Sequence, residues 1–375
     1  MKITGYRTER WRQPLARPIG DVNNTEGVEV FDAGALWIDS DEGVSGVAFS
    51  SADIADVFHL LEGRDPRETV GAWRSLTADR FAEGTRRAHV VAAVDVALWD
   101  LKAKLAGEPL WRTFGAKQPR VKTYASGLDY PLSDDDLFAF YRGMAERGVD
   151  GGKLKIGMDA EGDLRRIGVM REALSPAAAR PRLMLDVNEY WAPQQTIRAM
   201  AAIERHFDIT WVEEPARRWD YRGLREVSQQ VRAAVATGEN LRGSGEVYPL
   251  VAEQAVDILN ITPAQQGFTG CRQIAHLAHA FELPVTMMNA VGNFSAPLAA
   301  ALPNHIAMEV TDAGFDTTLR SDHRIEEGYL LLGDAPGHGV EVDEDAVKSL
   351  QSSPPEGRSG HPFTRREGAG VWVQP

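Results

Sequence analysis

From residue 121 onward, short β-favouring runs alternate with amphipathic helical runs, and this alternation restricts the fold more than any other feature of the chain. Strands that alternate with helices form parallel sheets, and eight in succession favour a closed β/α barrel. An open doubly wound sheet has the same order of elements, but no Gly-x-Gly-x-x-Gly follows the first strand, which weakens that alternative. The predicted strands are residues 121–125, 153–156, 183–187, 210–213, 235–237, 257–261, 284–288 and 305–310.

The first 118 residues have a different pattern, which predicts a separate α+β domain. A strand is expected over residues 28–38, after a loop over residues 14–24 that is rich in Pro, Gly and Asn. A helix follows, because apolar residues recur at spacings of three and four and then stop at Gly107 and Pro109. The apolar positions of this helix are Val90, Val94, Leu98, Leu101 and Leu105.

The C-terminal part of the chain after residue 320 contains two further β-favouring runs. Residues 328–332 and 340–342 flank the turn-forming sequence Gly-Asp-Ala-Pro-Gly at 333–337. Two short runs on either side of such a sequence predict that they pair as a hairpin.

Composition narrows the classes of function. The chain has 375 residues, which suits one large barrel domain or two domains, and a net charge of −13. Such a charge argues against a nucleic acid or an anionic membrane as the main partner. Cys271 is the only cysteine, so no intrachain disulfide is expected. No apolar run has the length of a signal peptide core or a membrane span, and we therefore expect a cytoplasmic enzyme.

Lys153 and Lys155 lie on one short predicted strand with a single residue between them. Side chains at i and i+2 of a strand point to the same face, so the two ammonium groups should be neighbours. Neighbouring like charges disfavour protonation, and we expect at least one of the two amines to have a lowered pKa. A lysine that is neutral near pH 7 can act as a general base. Two solvated lysines on an exposed strand are the alternative interpretation.

Three acidic residues end three consecutive predicted strands. Asp186, Glu213 and Glu239 are 27 and 26 residues apart, which is about the length of one β/α unit. In a β/α barrel the carboxyl ends of the strands form the active-site mouth, so these side chains should converge there. Three carboxylates with room for water or substrate suit Mg²⁺, and the sequence therefore predicts a metal site.

Six motifs spread over nearly the whole chain resemble the enolase superfamily, in its mandelate racemase/muconate lactonizing branch. They are Ala97-Leu98-Trp99-Asp100, Lys153-Leu154-Lys155, Asp186-Val187-Asn188, Glu213-Glu214-Pro215, Gly238-Glu239-Asn240 and Gly337-His338-Gly339-Val340-Glu341. The resemblance implies an α/β fold, a modified TIM barrel of the (β/α)7β type. It also implies an α+β capping domain that both chain ends build. The expected domains are residues 1–118 for the N-terminal cap, 119–320 for the barrel and 321–375 for the segment that returns to the cap.

The same resemblance implies a chemistry. Lys155 removes the proton α to a substrate carboxylate and leaves an enediolate intermediate, and Lys153 helps to keep the Lys155 amine partly neutral. One Mg²⁺, held by Asp186, Glu213 and Glu239, stabilises the developing charge. The expected partner is a small-molecule carboxylate substrate, and by analogy with the family the protein is expected to be a homo-oligomer.

The chain departs from the family pattern on the other side of the predicted site. The family usually has a second acid/base group there, a His on the seventh strand or a Lys on the sixth, where this chain has Asn289 and Thr262. Asn293 takes the place of a Glu that is often found shortly after the His. Since Asn and Thr cannot donate a proton as acids, a two-base racemase is disfavoured. A one-base reaction does not need that second group. In it, Lys155 takes the α-proton and then, as its ammonium, protonates a hydroxyl that leaves on the same face.

The leading hypothesis is therefore a Mg²⁺-dependent lyase that dehydrates a sugar acid or other hydroxy acid by syn β-elimination to a 2-keto-3-deoxy product. An isomerase (racemase, epimerase or cycloisomerase) is the first alternative, and a catalytically degenerate barrel that binds a metal and an acid is the second. Expected substrate contacts include a capping loop over residues 15–24, with Arg17, Asp21 and Asn23, and Tyr190 and Trp191 on the barrel. Further candidates for substrate binding are Asn188, Asn240, Tyr124, Thr262, Asn289 and Asn293.

Overall fold

A three-stranded antiparallel sheet begins the computed structural model, which describes residues 1–78 and 85–360. Its strands are β1 (Ile3–Ile19), β2 (Val28–Ser40) and β3 (Ser45–Ala48), in the order β1-β2-β3. The strand predicted over residues 28–38 is confirmed by β2. The loop predicted over residues 14–24 begins later than expected, because Pro14 still pairs with Val30 and β1 ends only at Ile19, after a shift of register.

Four helices follow this sheet, and the third of them is the long helix that the apolar spacing predicted. They are α1 (Ala55–Phe58), α2 (Thr69–Thr77), α3 (Thr85–Ala106) and α4 (Leu110–Thr113). Val94 and Leu101 of α3 are fully buried, as expected for an apolar face that packs on a sheet. The helix ends where Gly107 adopts a left-handed backbone conformation with φ of 67°.

Eight parallel strands form a closed barrel, which confirms the predicted (β/α)7β fold. The barrel closes because the last strand pairs in parallel with the first, through Glu309 opposite Tyr124. The strands are β4 (Arg120–Ser126), β5 (Gly151–Lys155), β6 (Arg182–Asp186), β7 (Trp211–Glu213), β8 (Ala234–Thr237), β9 (Ile258–Ile261), β10 (Val285–Met287) and β11 (His305–Val310). The helices between them are α5 (Asp134–Glu146), α6 (Ala160–Leu174), α7 (Pro193–Ile203), α8 (Tyr221–Gln230), α9 (Ser244–Ala252), α10 (Pro263–Ala280) and α11 (Ala296–Ala299).

The pairing register of the barrel aligns the chemically important residues. Lys155 lies opposite Asp186, and Asp186 lies opposite Glu213 on the following strand. All three residues are the last of their strands, so they reach the carboxyl-terminal mouth of the barrel at one height. In barrels of this kind, active sites form at that mouth.

The C-terminal runs form strands, but the hairpin predicted between them is wrong. One short 3-10 helix (Val291–Asn293) lies between β10 and α11, and a second (Phe315–Thr317) follows β11. The C-terminal region then contains β12 (Leu319–Ser321), β13 (Arg324–Glu326), β14 (Tyr329–Leu331), β15 (Val340–Val342) and α12 (Glu344–Ser352). Strand β14 pairs with β13 and β4, whereas β15 pairs with β12. The reason is the two-residue turn Glu327-Gly328, whose positive φ angles of 51° and 75° favour a tight hairpin between β13 and β14.

Helix α12 returns to the N-terminal sheet, where Val347 packs in one apolar cluster with Trp11 and Trp37. The expected segment 321–375 extends beyond this helix, but residues 361–375 lie outside the described part of the chain. The domain boundaries at residues 118 and 320 remain predictions. No helix among the described residues is long and apolar enough to cross a membrane.

Candidate active site

A cavity of about 290 Å³ lies at the carboxyl-terminal mouth of the barrel, beneath the loop that follows β1. The wall of this cavity includes Asp21 and Asn23 from the loop, and Lys155 and Glu239 from the carboxyl-terminal ends of the barrel strands. A cavity with several convergent charged groups at this end of a β/α barrel is the natural candidate for the active site.

The two lysines of β5 point into this cavity and are almost completely buried. Lys153 is 0% exposed and Lys155 is 3% exposed. The Nζ atom of Lys155 lies 2.6 Å from Oδ2 of Asp186. The Nζ atom of Lys153 contacts Oε1 of Glu213 and lies 3.3 Å from Oδ2 of Asp186 and 3.1 Å from Oε1 of Glu309. The alternative of two solvated surface lysines is therefore excluded.

The prediction that one lysine has a lowered pKa is wrong for the charges that this structure contains. Burial has the largest single influence and disfavours the ammonium of Lys155, and Lys153 repels it, but the carboxylates of Asp186, Glu239 and Glu309 together outweigh both and raise its pKa. The pKa of Lys153 is also raised, against burial, by Glu213 and Glu309. The two lysines do repel each other, as predicted, but the carboxylates around them set the direction of the pKa shift.

The three predicted metal ligands carry more negative charge than their surroundings can stabilise. Burial raises the pKa of Glu239 to about 7 and that of Glu213 well above its usual range, whereas Lys155 and Lys153 hold that of buried Asp186 at about 2. Asp186 and Glu213 share the Lys153 ammonium, and Oε1 of Glu239 accepts a hydrogen bond of 3.3 Å from Asn240.

Within residues 1–78 and 85–360, no three acidic, His or Cys side chains are already spaced as a metal-ligand set. The donor chemistry nevertheless suits Mg²⁺, because all three side chains offer carboxylate oxygens at the mouth of the barrel, where Asp186 and Glu213 end β6 and β7 and Glu239 follows the end of β8 by two residues. Two of these carboxylates already share one cation, the Lys153 ammonium.

Glu309 is a site residue that the sequence reasoning missed. It is the last residue but one of β11, is fully buried, and contacts Lys153. Its Oε2 atom accepts hydrogen bonds of 2.9 and 2.8 Å from the backbone N and the Nδ2 of Asn289. The position of an acid near the end of the eighth strand could have identified it, by the same logic as Asp186 and Glu213. Asn293, to which the family's Glu was assigned, lines a different cavity beside Arg147.

Four of the other predicted polar residues line the cavity: Asn188, Asn240, Thr262 and Asn289. Tyr124 does not, because it is buried inside the barrel in edge contact with Trp211. Its hydroxyl has no hydrogen-bond partner among the described residues.

Of the residues predicted as substrate contacts in and beside the capping loop, some line the cavity and others do not. Asp21 and Asn23 line the cavity, and Nδ2 of Asn23 donates to the backbone O of Asn188 at 3.1 Å. Arg17 instead donates to the carbonyls of Gly127 and Thr311, which ties the end of β1 to the barrel. Tyr190 and Trp191 lie outside the cavity wall, and Trp191 donates to the carbonyl of Gly157 at 2.7 Å.

Two arginines that the sequence did not single out complete the cavity wall. Arg217 and Arg218 both pair with the buried carboxylate of Glu189, at 3.1 and 2.6 Å. Glu214 and Glu239 also act on Arg218, so this side of the cavity contains charges of both signs, and the two guanidinium groups are the cations there that can pair with an anionic substrate.

Comparison with known proteins identifies the family to which the motifs and the fold point. Residues 33–115 match the family model of the mandelate racemase/muconate lactonizing enzyme N-terminal domain, and residues 136–346 match that of the enolase C-terminal domain-like family.

Among curated relatives, the chain is 29% identical over 372 residues to 3,6-anhydro-alpha-L-galactonate cycloisomerase from Streptomyces coelicolor, which covers 93% of this chain and 99% of the relative. It is 30% identical over 364 residues to L-talarate/galactarate dehydratase from Salmonella typhimurium, which covers 90% and 88%. A solved racemase from Streptomyces coelicolor with bound magnesium superposes with a TM-score of 0.84 at 27% identity, over 93% of this chain and 99% of that one. The chain therefore belongs to the enolase superfamily, in its mandelate racemase/muconate lactonizing enzyme branch.

Proposed function

We propose that this protein is a Mg²⁺-dependent lyase that removes water from a sugar acid, or another hydroxy acid, by syn β-elimination to a 2-keto-3-deoxy product. The observation that carries the proposal is the position of Lys155. Its amine is buried in the cavity wall beside a row of strand-end carboxylates, where a base for the proton α to a bound carboxylate is needed.

Asp186, Glu213 and Glu239 are the residues that would hold Mg²⁺, as the oxygen-only donor set suggests. When bound, the cation supplies positive charge for the substrate's carboxylate oxygens and offsets the Asp186 charge that raises the pKa of Lys155. Arg217 and Arg218 attract an anionic substrate from their side of the cavity.

The two uncharged side chains at positions 262 and 289 favour elimination over racemisation. Thr262 and Asn289 line the cavity where family members with two bases carry an ionisable group. Neither side chain titrates near neutral pH, so proton delivery to the opposite face of the α-carbon has no donor there. A β-oxygen that leaves on the Lys155 face requires no such donor, and syn elimination is consistent with both residues.

A substrate panel tests the proposal. The protein is incubated with Mg²⁺ and a set of aldonic and aldaric acids, and 2-keto products are measured by semicarbazide absorbance and mass spectrometry. Lys155→Ala should lower turnover by about 10²- to 10⁴-fold, the range for one general base. Lys122→Ala is the matched control, since Lys122 lies on β4 away from the cavity and pairs with Asp150. Turnover that survives Lys155→Ala would show that another group is the base.

A cycloisomerase is the second candidate, because one of the relatives described above is a cycloisomerase of an anhydro sugar acid. The same α-proton removal would then expel a ring oxygen that remains part of the product. Mass spectrometry separates the two reactions, since dehydration lowers the mass by one water and cycloisomerisation leaves the mass unchanged.

A further inference from the structure

Asp21 is a buried carboxyl group of the capping loop with one oxygen that the fold does not use. The residue follows β1 and is 1% exposed. Its Oδ1 atom accepts hydrogen bonds from the backbone N–H groups of Asn23 at 2.7 Å and Asn24 at 3.1 Å. Its Oδ2 atom is buried and has no hydrogen-bond partner among the described residues. Buried polar atoms are nearly always paired, so an unpaired carboxyl oxygen calls for a ligand or a chemical role.

The loop holds Asp21 over the barrel mouth, in the same cavity as Lys155. Gly20, the residue before it, forms a bridge with Asp129 of the barrel, and Asn23 donates to the backbone of Asn188. The capping loop is thus attached to the barrel on both sides of Asp21. The backbone N–H groups of Asn23 and Asn24 orient the carboxyl group within this loop.

The charges around Asp21 suit a proton donor. Burial raises the pKa of its carboxyl group to about 6, against the lowering influence of the Lys155 ammonium, which is the largest effect of any charged neighbour. A carboxyl group that keeps its proton close to neutral pH can serve as a general acid, as raised carboxyl groups do in other enzymes. Asp21 and Lys155 both line this cavity.

We propose that Asp21 is the acid that protonates the departing β-oxygen of the substrate, on the side from which Lys155 removes the α-proton. This inference rests on the proposed function and names the partner of Lys155 in it. It also replaces the expectation that the Lys155 ammonium protonates the leaving group. That ammonium is engaged by Asp186 at 2.6 Å, whereas Oδ2 of Asp21 has no competing partner among the described residues.

The step balances with these two groups alone. Lys155 takes the proton from the α-carbon, and the electrons of that C–H bond move into the substrate carboxylate to give an enediolate, from which they return to form the double bond between the α- and β-carbons. The bond from the β-carbon to oxygen breaks, and the oxygen leaves with its electron pair and the proton of Asp21. A free hydroxyl departs as water, whereas a ring oxygen stays on the product as a hydroxyl group. The enol then becomes the 2-keto acid, and the proton held by Lys155 restores Asp21.

Asp21→Asn tests this role without removing the turn, because an asparagine retains the Oδ1 acceptor for the two backbone N–H groups. Asp53→Asn is the matched control, since Asp53 accepts from the backbone N–H of Ala55 at 3.0 Å in a similar turn but is exposed outside the cavity. Two substrates are compared: an acid that the wild type dehydrates, and its analogue with fluorine in place of the β-hydroxyl. Fluoride leaves without protonation, so its loss does not need an acid.

Asp21→Asn should lower water elimination by about 100-fold or more, the lower end for one general acid, while exchange of the α-proton in D₂O continues. Fluoride elimination by the same variant should stay within a few-fold of the wild type, and Asp53→Asn should change neither reaction. Equal losses of water and fluoride elimination would overturn the inference and make Asp21 a substrate-positioning residue. Unchanged water elimination would overturn it as well. A wild type that exchanges no α-proton in any acid tested would overturn the proposed function itself, and this inference with it.

Discussion

Replacing Lys153 with methionine should destabilise the protein strongly, because this one side chain holds several buried acids together. Its ammonium is 0% exposed and contacts Glu213, Glu309 and Asp186. Methionine has a similar length and no charge, so Lys153→Met removes the cation and keeps most of the packing. The carboxylates then remain buried without their shared partner.

Removing one partner of a buried ion pair costs about 3–5 kcal/mol, since the remaining charge stays buried and unpaired. With an unfolding entropy of about 2.1 cal/mol/K per residue, the 375 residues correspond to about 0.8 kcal/mol/K. Dividing the two predicts that Tm falls by about 4–6 °C if the chain unfolds in one transition. The control Lys122→Met removes a partly exposed lysine that pairs with Asp150 at 3.1 Å, and should cost about 0–1 kcal/mol.

The deficit of Lys153→Met should also depend on pH. Burial alone would raise the pKa of Glu309, but Lys153 and Lys155 hold it below its ordinary value. A carboxyl group with a depressed pKa stabilises the fold above its unfolded pKa, and this contribution is lost as the pH falls through the folded pKa. Without Lys153 the pKa of Glu309 rises, so the folded variant takes up a proton more readily. The deficit should be largest near pH 8 and shrink towards pH 5.

Scanning calorimetry of the wild type and both variants, in EDTA at several pH values, measures these effects. A Tm of Lys153→Met equal to that of the wild type at pH 8 would refute the reasoning, because it would mean that the acids do not depend on this ammonium. A deficit of the expected size that does not change between pH 8 and pH 5 would refute the electrostatic part and point to lost packing.

Three further predictions use the same assay. Mg²⁺ at about 100 times its Kd should stabilise EDTA-treated protein by about 2.7 kcal/mol, and Asp186→Asn should lose most of this gain; an equal gain in the variant would contradict the ligand assignment. Burial raises the pKa of Asp95 to about 7, so its contribution to stability falls as the pH rises from about 4 to about 7. Asp95→Asn should therefore improve relative to the wild type over that range, by up to about 4 kcal/mol, and a constant difference would refute the shift. Gln13 is fully buried and donates to the carbonyl of Gly314 and the hydroxyl of Thr317. Gln13→Leu should cost about 1–3 kcal/mol, and no loss of Tm would show that these hydrogen bonds add nothing.

The sequence alone was sufficient for the barrel and for the positions of Asp186 and Glu213 at the ends of two of its strands. Residues 183–187 and 305–310 were predicted as strands and are observed as Arg182–Asp186 and His305–Val310. Such runs can be recognised because apolar periodicity and the spacing of one β/α unit are local properties of the chain. The same spacing placed Asp186 and Glu213 at one level, which the pairing register of the barrel reproduces.

Contacts between distant parts of the chain were decided only by the tertiary structure. Glu309 reaches Lys153 because the eighth strand closes the barrel against the first, and no local pattern reports that closure. Asp21 was expected near the substrate from the family resemblance, but its entry into the cavity depends on the bridge between Gly20 and Asp129, which attaches the loop after β1 to the barrel. The raised pKa of Lys155 follows from the distance to Asp186 rather than from its neighbour in sequence, since Coulomb interactions depend on separation in space.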